Sequence, residues 1–201
     1  MTRWYTEKKR EHYYKEAKKT GYRARSAFKL KQIQNKFNII KNGDTVVDLG
    51  ACPGGWSQVA KELVGEKGKV IGIDLSYIRP LDGVTFLQGD LTKESSIQKI
   101  TEVMGDSKAD VVLSDMSPNI SGNYSVDHAR SIYLCEQAVK ASELLLKKDG
   151  FFVCKVFDGE ELNNFIKRMS KIFSFTKRFS PEASRKSSSE IYIIARFRRI
   201  S

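Results

Sequence analysis

Short apolar runs alternate along the chain with stretches in which apolar residues recur every three or four positions. The short runs are typical of buried strands, and the periodic stretches are typical of amphipathic helices. The strands predicted in this way are residues 45–49, 69–75, 84–88, 109–114, 151–156, 175–179 and 191–197. The predicted helices are residues 21–37, 57–63, 95–104, 127–146 and 160–172.

This alternation predicts an α/β fold: a mostly parallel seven-stranded sheet with helices on both faces. The last two strands are joined by residues 180–190 without a helix. They are therefore expected to pair antiparallel, with an antiparallel C-terminal strand at the edge of the sheet. No internal repeat or linker divides the chain, so residues 1–201 are predicted to form a single domain.

The positive charge is concentrated at the two ends of the chain. Of the net charge of +11, residues 1–25 carry +6 and residues 175–201 carry +5, so the rest is neutral. The first 25 residues also contain Trp4, Tyr5, Tyr13, Tyr14 and Tyr22. Cations among aromatic side chains favour a nucleic-acid partner, because the cations contact phosphates and the rings stack on bases. A solvated amphipathic helix is the other interpretation of this basic, aromatic extension.

No apolar run is long enough to span a bilayer, and the first residues lack the apolar core of a secretory signal. The three cysteines, Cys52, Cys135 and Cys154, fit neither a disulfide framework nor a metal cage. We therefore expect a cytoplasmic protein with no membrane association and no metal. Because no heptad pattern calls for a dimer, a monomer is expected.

A glycine-rich loop, DLGACPGGW, follows the first predicted strand over residues 48–56. Ligands of parallel α/β sheets bind beyond the carboxyl ends of the strands, so this loop is a candidate site. Gly50, Gly54 and Gly55 permit a tight turn and a close approach of the backbone to a ligand. The loop lacks the GK[ST] of a P-loop, which argues against triphosphate binding. A turn without any ligand is the alternative.

Acidic residues end the next two predicted strands. Asp74 is placed to accept hydrogen bonds from ribose hydroxyls, and Asp90 is placed to reach an adenine amino group. Either residue alone could be a helix cap or an ordinary turn residue. In series with the glycine loop they predict a nucleoside cofactor, either NAD or S-adenosylmethionine.

Lys155 lies inside the apolar run FFVCKVF, where a buried ammonium is costly unless it has a partner or a function. Asp115, which directly follows the fourth predicted strand, is a candidate partner, and a purely structural ion pair between them is one interpretation. Glu190 begins the last predicted strand, where an exposed strand end would be unremarkable.

Six motifs occur in a fixed order: RARSAFKL at residues 23–30, then DLGACPGGW, GIDL, SDMSPN, VCKVF and SSSEIY. In this combination nearly the whole chain resembles the FtsJ-type RNA ribose 2'-O-methyltransferases, the large-subunit ribosomal RNA methyltransferase E family. The resemblance implies a Rossmann-like, S-adenosylmethionine-dependent methyltransferase fold. It implies a catalytic tetrad of Lys29, Asp115, Lys155 and Glu190. The residues expected to bind the methyl donor are Gly50, Gly54, Trp56, Asp74, Asp90 and Asp115. Cys52 stands where the family commonly has a small residue such as Ala, and we assign it no role.

The implied reaction methylates the 2'-hydroxyl of a uridine in large-subunit, 23S-type ribosomal RNA, within the assembled subunit. Lys155 is expected to accept the hydroxyl proton, with Asp115 positioning it; a Lys155 that stays charged and orients the hydroxyl is the other possibility. Arg23, Arg25 and Lys29 are expected to contact RNA.

Three other functions stay open at this point. A transfer RNA ribose 2'-O-methyltransferase would share the tetrad. An NAD-dependent dehydrogenase would share the loop and Asp74, but it would have no need for Lys155 or the basic ends. A non-catalytic RNA-binding factor for ribosome assembly would not require an intact tetrad. A Ser-His-Asp hydrolase is disfavoured, because neither His12 nor His128 accompanies a nucleophile elbow.

Overall fold

The computed structural model describes residues 15–17, 19–184 and 189–197. Residues 1–14 and 18, which make up most of the basic extension, lie outside the described residues, as do Trp4, Tyr5, Tyr13 and Tyr14. The helices are α1 (Ala27–Phe37), α2 (Gly55–Val64), α3 (Glu94–Met104), α4 (Tyr124–Leu145) and α5 (Leu162–Met169). The strands are β1 (Thr45–Leu49), β2 (Lys69–Asp74), β3 (Val84–Gln88), β4 (Ala109–Ser114), β5 (Leu146–Phe157), β6 (Phe173–Phe179) and β7 (Glu190–Phe197).

The strands form one seven-stranded sheet in the order β3-β2-β1-β4-β5-β7-β6. Strands β1 to β5 pair in parallel, and β7 pairs antiparallel with both β5 and β6. The predicted mostly parallel sheet and the antiparallel C-terminal strand are confirmed. The predicted edge position of the C-terminal strand is wrong, because β7 inserts between β5 and β6 and leaves β6 at the edge. The apolar β7 is buried over Tyr192–Ala195, whereas most of β6 is exposed, so the inner position goes to the more apolar strand.

Helices cover both faces of the sheet, as predicted. Along each strand successive side chains point to opposite faces. Val46 thus packs with Leu30 of α1 and Val59 of α2, whereas its neighbour Val47 packs in a second cluster with residues of α3, α4 and α5. Two apolar layers therefore hold the sheet rigid behind its carboxyl edge.

The predicted helix over residues 21–37 begins only at Ala27, and this corrects the expected boundary. Residues 21–26 are not helical, because their polar groups bond to α2: Gln58 accepts from the Arg23 amide at 2.7 Å and donates to the carbonyl of Gly21 at 3.1 Å. Among the described residues, no helix is long and apolar enough to cross a membrane.

Candidate active site

The predicted ligand residues meet at the carboxyl edge of the sheet. Leu49 and Ser114 are register partners at the ends of β1 and β4, which brings the glycine loop beside Asp115. The Gly89 amide donates to the Asp74 carbonyl at 2.9 Å and so joins the ends of β2 and β3. Asp74 and Asp90 therefore lie on adjoining strand ends.

The backbone conformation and the neighbouring Met116 side chain require glycine at position 50. Its φ of +73° is a left-handed conformation, and a Cβ there would lie 2.3 Å from Cγ of Met116. The amides of Gly50 and Ala51 donate to the Ile73 carbonyl at 2.8 and 3.0 Å. These two hydrogen bonds tie the start of the loop to the end of β2.

The two acidic residues at the strand ends are held as hydrogen-bond acceptors. Asp74 accepts from the Cys52 amide at 3.0 Å and from the Ser76 amide at 2.8 Å, one through each carboxylate oxygen. Asp90 accepts from the amide and the hydroxyl of Thr92 at 2.9 and 2.8 Å. These Thr92 hydrogen bonds lower the pKa of Asp90, so its carboxylate stays ionised. A carboxylate oxygen with one donor can still accept a second, so Asp74 retains capacity for ribose hydroxyls.

The indole of Trp56 is buried, and its Nε1 donates to the Ser26 carbonyl at 2.8 Å. The ring packs 5.7 Å from the ring of Tyr192. The side chain thus fixes the start of α1 and does not offer an open stacking face to a ligand.

Lys29, on α1, forms an ion pair with Glu190, at the start of β7. Its Nζ lies 2.7 Å from Oε2 of Glu190, and the two side chains are 5% and 19% exposed. Little water screens this pair, so the charges hold each other strongly. The pairing explains why α1 and β7, which are distant in sequence, present their charges together.

Lys155 and Asp115 form a second pair. Nζ of Lys155 donates to the Asp115 main-chain oxygen at 2.8 Å and lies 3.2 Å from Oδ1. Lys155 is 6% exposed, so its burial is compensated by a carboxylate and a carbonyl. All four tetrad residues are therefore placed in two ion pairs at one edge of the sheet.

Tyr192 joins the two pairs, and the sequence interpretation missed it. Its hydroxyl donates to Oδ1 of Asp115 at 2.7 Å, and Nζ of Lys29 lies 5.5 Å from its ring centroid. Burial, reinforced by the charges of Asp115 and Glu190, raises the pKa of Tyr192 well above its usual range. The phenol therefore keeps its proton and donates. Its position two residues after Glu190, on the same face of a strand, was the available signal.

Asp48, the first residue of the loop motif, was also missed as a titratable group. It is 1% exposed; Oδ2 accepts from the Ser57 hydroxyl at 2.6 Å. Oδ1 has no hydrogen-bond partner among the described residues. Burial, with the charges of Asp115 and Asp74 nearby, raises the pKa of Asp48 to about 7. The hydrogen bond from Ser57 thus links the end of β1 to the start of α2, across the two ends of the glycine loop.

The two arginines expected to contact RNA differ in placement. The guanidinium of Arg23 donates to the carbonyls of Pro53, Arg79 and Pro80. Arg25 lies near the tetrad, since its charge acts on the pKa of Tyr192 and opposes the rise.

No group of three or more His, Cys, Asp or Glu in the described part of the chain could hold a metal ion.

Known proteins share both the sequence and the fold. The FtsJ-like methyltransferase family matches residues 22–198. The ribosomal RNA large subunit methyltransferase E of Methanosarcina acetivorans is 52% identical over 188 residues, covering 94% of this chain and 68% of that protein. Its namesake from Methanocaldococcus jannaschii is 48% identical over 198 residues, covering 96% and 81%.

Solved structures agree. A ribosomal RNA methyltransferase from Plasmodium falciparum superposes with a TM-score of 0.80 at 31% identity, covering 88% of this chain and 98% of that chain. A fibrillarin/Nop5p complex shares the fold alone, with a TM-score of 0.62 at 21% identity, covering 85% and 81%. Enzymes of this class take their methyl group from S-adenosylmethionine. With the family match spanning most of the chain and the resemblance of six motifs confirmed, the protein belongs to the FtsJ-like methyltransferases.

Proposed function

We propose that the protein transfers a methyl group from S-adenosylmethionine to the 2'-hydroxyl of a uridine in large-subunit ribosomal RNA, acting on the assembled subunit. The observation that carries the proposal is the pair of buried lysines, each held by a carboxylate, beside the glycine loop. The names of the relatives, ribosomal RNA methyltransferases, support the choice of RNA.

The residues present fit a nucleoside that carries a positive charge and no phosphate. Asp74 and Asp90 supply acceptors for ribose hydroxyls and a base amino group. Asp115 adds a negative charge directly after β4, and this charge would attract a positively charged sulfonium.

When bound, S-adenosylmethionine supplies an already activated methyl group, so the chain's task is to align the acceptor and take its proton. The donor's C–S bond would break as the new C–O bond formed, and the amine of Lys155 would take the hydroxyl proton. In the neutral amine the two N–H groups can donate to the main-chain oxygen and Oδ1 of Asp115, which leaves the lone pair of Nζ to face the hydroxyl. Lys29 and Glu190 hold the ribose beside it.

The concentration of positive charge at the two ends of the chain favours an RNA partner, and the names of the relatives favour large-subunit ribosomal RNA. A ribose 2'-hydroxyl as acceptor restricts the reaction to RNA. Cys52, Cys135 and Cys154 are not joined in disulfides, which agrees with the reducing cytoplasm in which ribosomes assemble. A monomer remains our expectation.

The decisive experiment offers labelled S-adenosylmethionine with undermethylated large subunits, naked large-subunit RNA and bulk transfer RNA, side by side. Lys155→Ala is the inactive variant. Lys148→Ala is its matched control, since Lys148 is an exposed lysine of the same strand. Digestion to nucleosides then identifies the labelled product.

Labelled 2'-O-methyluridine from large subunits, lost with Lys155→Ala and retained with Lys148→Ala, is the expected result. Label in transfer RNA would move the substrate to the other RNA class while keeping the chemistry. Equal label in naked RNA would contradict action on the assembled subunit. Cofactor binding without label anywhere would favour a non-catalytic assembly factor.

The role of Lys155 as proton acceptor has its own test. The single-turnover rate should rise with pH, because only the neutral amine can accept the proton. A rate that stays constant between about pH 6 and 10, with chemistry rate-limiting, would instead favour a charged Lys155 that orients the hydroxyl.

A further inference from the structure

The guanidinium of Arg23 connects two loops that border the nucleoside site. Nη1 donates to the Arg79 carbonyl at 2.6 Å and to the Pro53 carbonyl at 3.3 Å. Nη2 donates to the Pro80 carbonyl at 2.5 Å. Pro53 belongs to the glycine loop, and residues 79–80 belong to the segment that follows Asp74. One side chain therefore spans the two loops between which the methyl donor is expected to bind.

The side chain is held in this position from two further directions. Its guanidinium carbon lies 5.8 Å from the ring centroid of Phe86, on β3. Its main-chain amide donates to Oε1 of Gln58, on α2, at 2.7 Å. Arg23 is thus anchored to the strand and the helix that flank the site, and it is not a free surface cation.

Two glycines of the loop motif accommodate this segment. A Cβ on Gly54 would lie 3.0 Å from Nη1 of Arg23, and a Cβ on Gly55 would lie 3.1 Å from Cβ of Ala24. The sequence interpretation assigned these glycines to close approach by a ligand. In the structure, residues 23–24 of the chain itself occupy the space beside them.

We propose that Arg23 is a positioning residue of the methyl-donor site: it sets the separation of the glycine loop and the loop after Asp74, and it does not contact RNA phosphate. This inference rests on the proposed function for the identity of the donor. A planar guanidinium can serve carbonyls of two loops at once, whereas a lysine ammonium is a point donor on a flexible stem. Loops held in place before binding lose less conformational freedom on binding, so affinity should depend on Arg23.

The test is calorimetric titration with S-adenosylhomocysteine, in the absence of RNA, of the full chain and four variants. Arg23→Gln removes both the positive charge and the planar set of guanidinium donors. Arg23→Lys keeps the charge but removes the planar set of donors. Arg79→Gln is the matched control, because it removes a charge from the same loop and retains the main-chain carbonyl that Arg23 binds. Arg25→Gln is the comparison for RNA contact. Binding of naked large-subunit RNA is measured for each at constant salt.

Both Arg23 variants should weaken the cofactor analogue on the order of tenfold, which corresponds to about 1.4 kcal/mol. Arg79→Gln and Arg25→Gln should leave that affinity unchanged. Arg23→Lys should bind RNA like the unaltered chain and raise KM for the methyl donor more than it lowers kcat. A purely structural role would lower the melting temperature without this selective change.

The proposal is overturned if Arg23→Lys binds the analogue normally, or if Arg23→Gln loses RNA affinity alone. If Arg23→Gln does not fold, Arg23→Lys still decides the matter. Failure of the proposed function is separable: an unaltered chain that does not bind the analogue would refute the methyl-donor assignment itself.

Discussion

The hydroxyl of Tyr192 donates to Oδ1 of Asp115 at 2.7 Å, the same oxygen that lies 3.2 Å from Nζ of Lys155. One carboxylate oxygen thus lies within reach of both the Tyr192 hydroxyl and the Lys155 nitrogen. Tyr192 faces Lys155 directly across the β5–β7 pairing. The phenol therefore restricts the orientations that Asp115 can adopt, and through it those of Lys155.

Tyr192→Phe should lower kcat by about tenfold, because Asp115 loses a donor while the buried ring is kept. We expect little change in affinity for S-adenosylhomocysteine and a loss of about 1 kcal/mol in the free energy of unfolding. Steady-state kinetics and urea unfolding measure both. Tyr133→Phe is the control, since Tyr133 is exposed on α4. Unchanged kcat in Tyr192→Phe would show that the hydrogen bond does not position Asp115.

The buried pair of Lys29 and Glu190 should be strongly coupled. A double-mutant cycle with Lys29→Met and Glu190→Gln should give a coupling energy of about 1–3 kcal/mol in urea unfolding. The reason is that removing either partner leaves the other charge in a site that water reaches poorly.

The matched cycle uses Arg168 and Glu136, which are also 2.7 Å apart but 48% and 40% exposed. Its coupling should stay below about 1 kcal/mol, because solvent screens an exposed pair. Equal coupling in the two cycles would mean that burial does not strengthen the pair of Lys29 and Glu190.

Asp48 predicts a pH dependence of stability. Its pKa is about 7 in the fold, above the value of 3.8 for a free carboxyl. The folded state binds the Asp48 proton more tightly than the unfolded chain does. The stabilisation that this proton gives the fold is therefore complete below about pH 4 and is lost as pH rises through about 7. A difference of that size is worth about 4 kcal/mol.

Asp48→Asn has no carboxyl to titrate. The free energy of unfolding of the unaltered protein, measured relative to that of Asp48→Asn, should therefore fall as pH rises from about 4 to 8. Urea unfolding at several pH values measures the difference. Parallel curves across that range would contradict burial of an ionisable Asp48.

The basic extension predicts a salt-dependent affinity for RNA. Arg3, Lys8, Lys9 and Arg10 can be replaced together by Gln, which removes four cations. The slope of log affinity against log salt should become shallower by roughly 0.7 for each phosphate of single-stranded RNA that the variant no longer neutralises. Filter binding at several salt concentrations measures the slopes. An affinity of the unaltered chain that hardly changes between about 50 and 300 mM salt would refute an electrostatic interface.

The sequence alone determined much of the fold. Buried strands such as residues 109–114 and amphipathic helices such as residues 95–104 carry periodicities that follow from local geometry, and they were predicted to within a residue. Motif order was also sufficient to identify the family. These features depend on residues that are neighbours in the chain or on motifs that are short and contiguous.

Tertiary structure decided what depends on contacts between distant segments. The insertion of β7 between β5 and β6 follows from competition between two strands for burial, which neither strand reveals alone. Tyr192 joins the two ion pairs only because β7 lies beside β5. Arg23 was predicted to contact RNA phosphate, because a charge on a basic segment has no visible partner in sequence. Its partners are main-chain carbonyls, which every residue carries, so only folding could show which ones it binds.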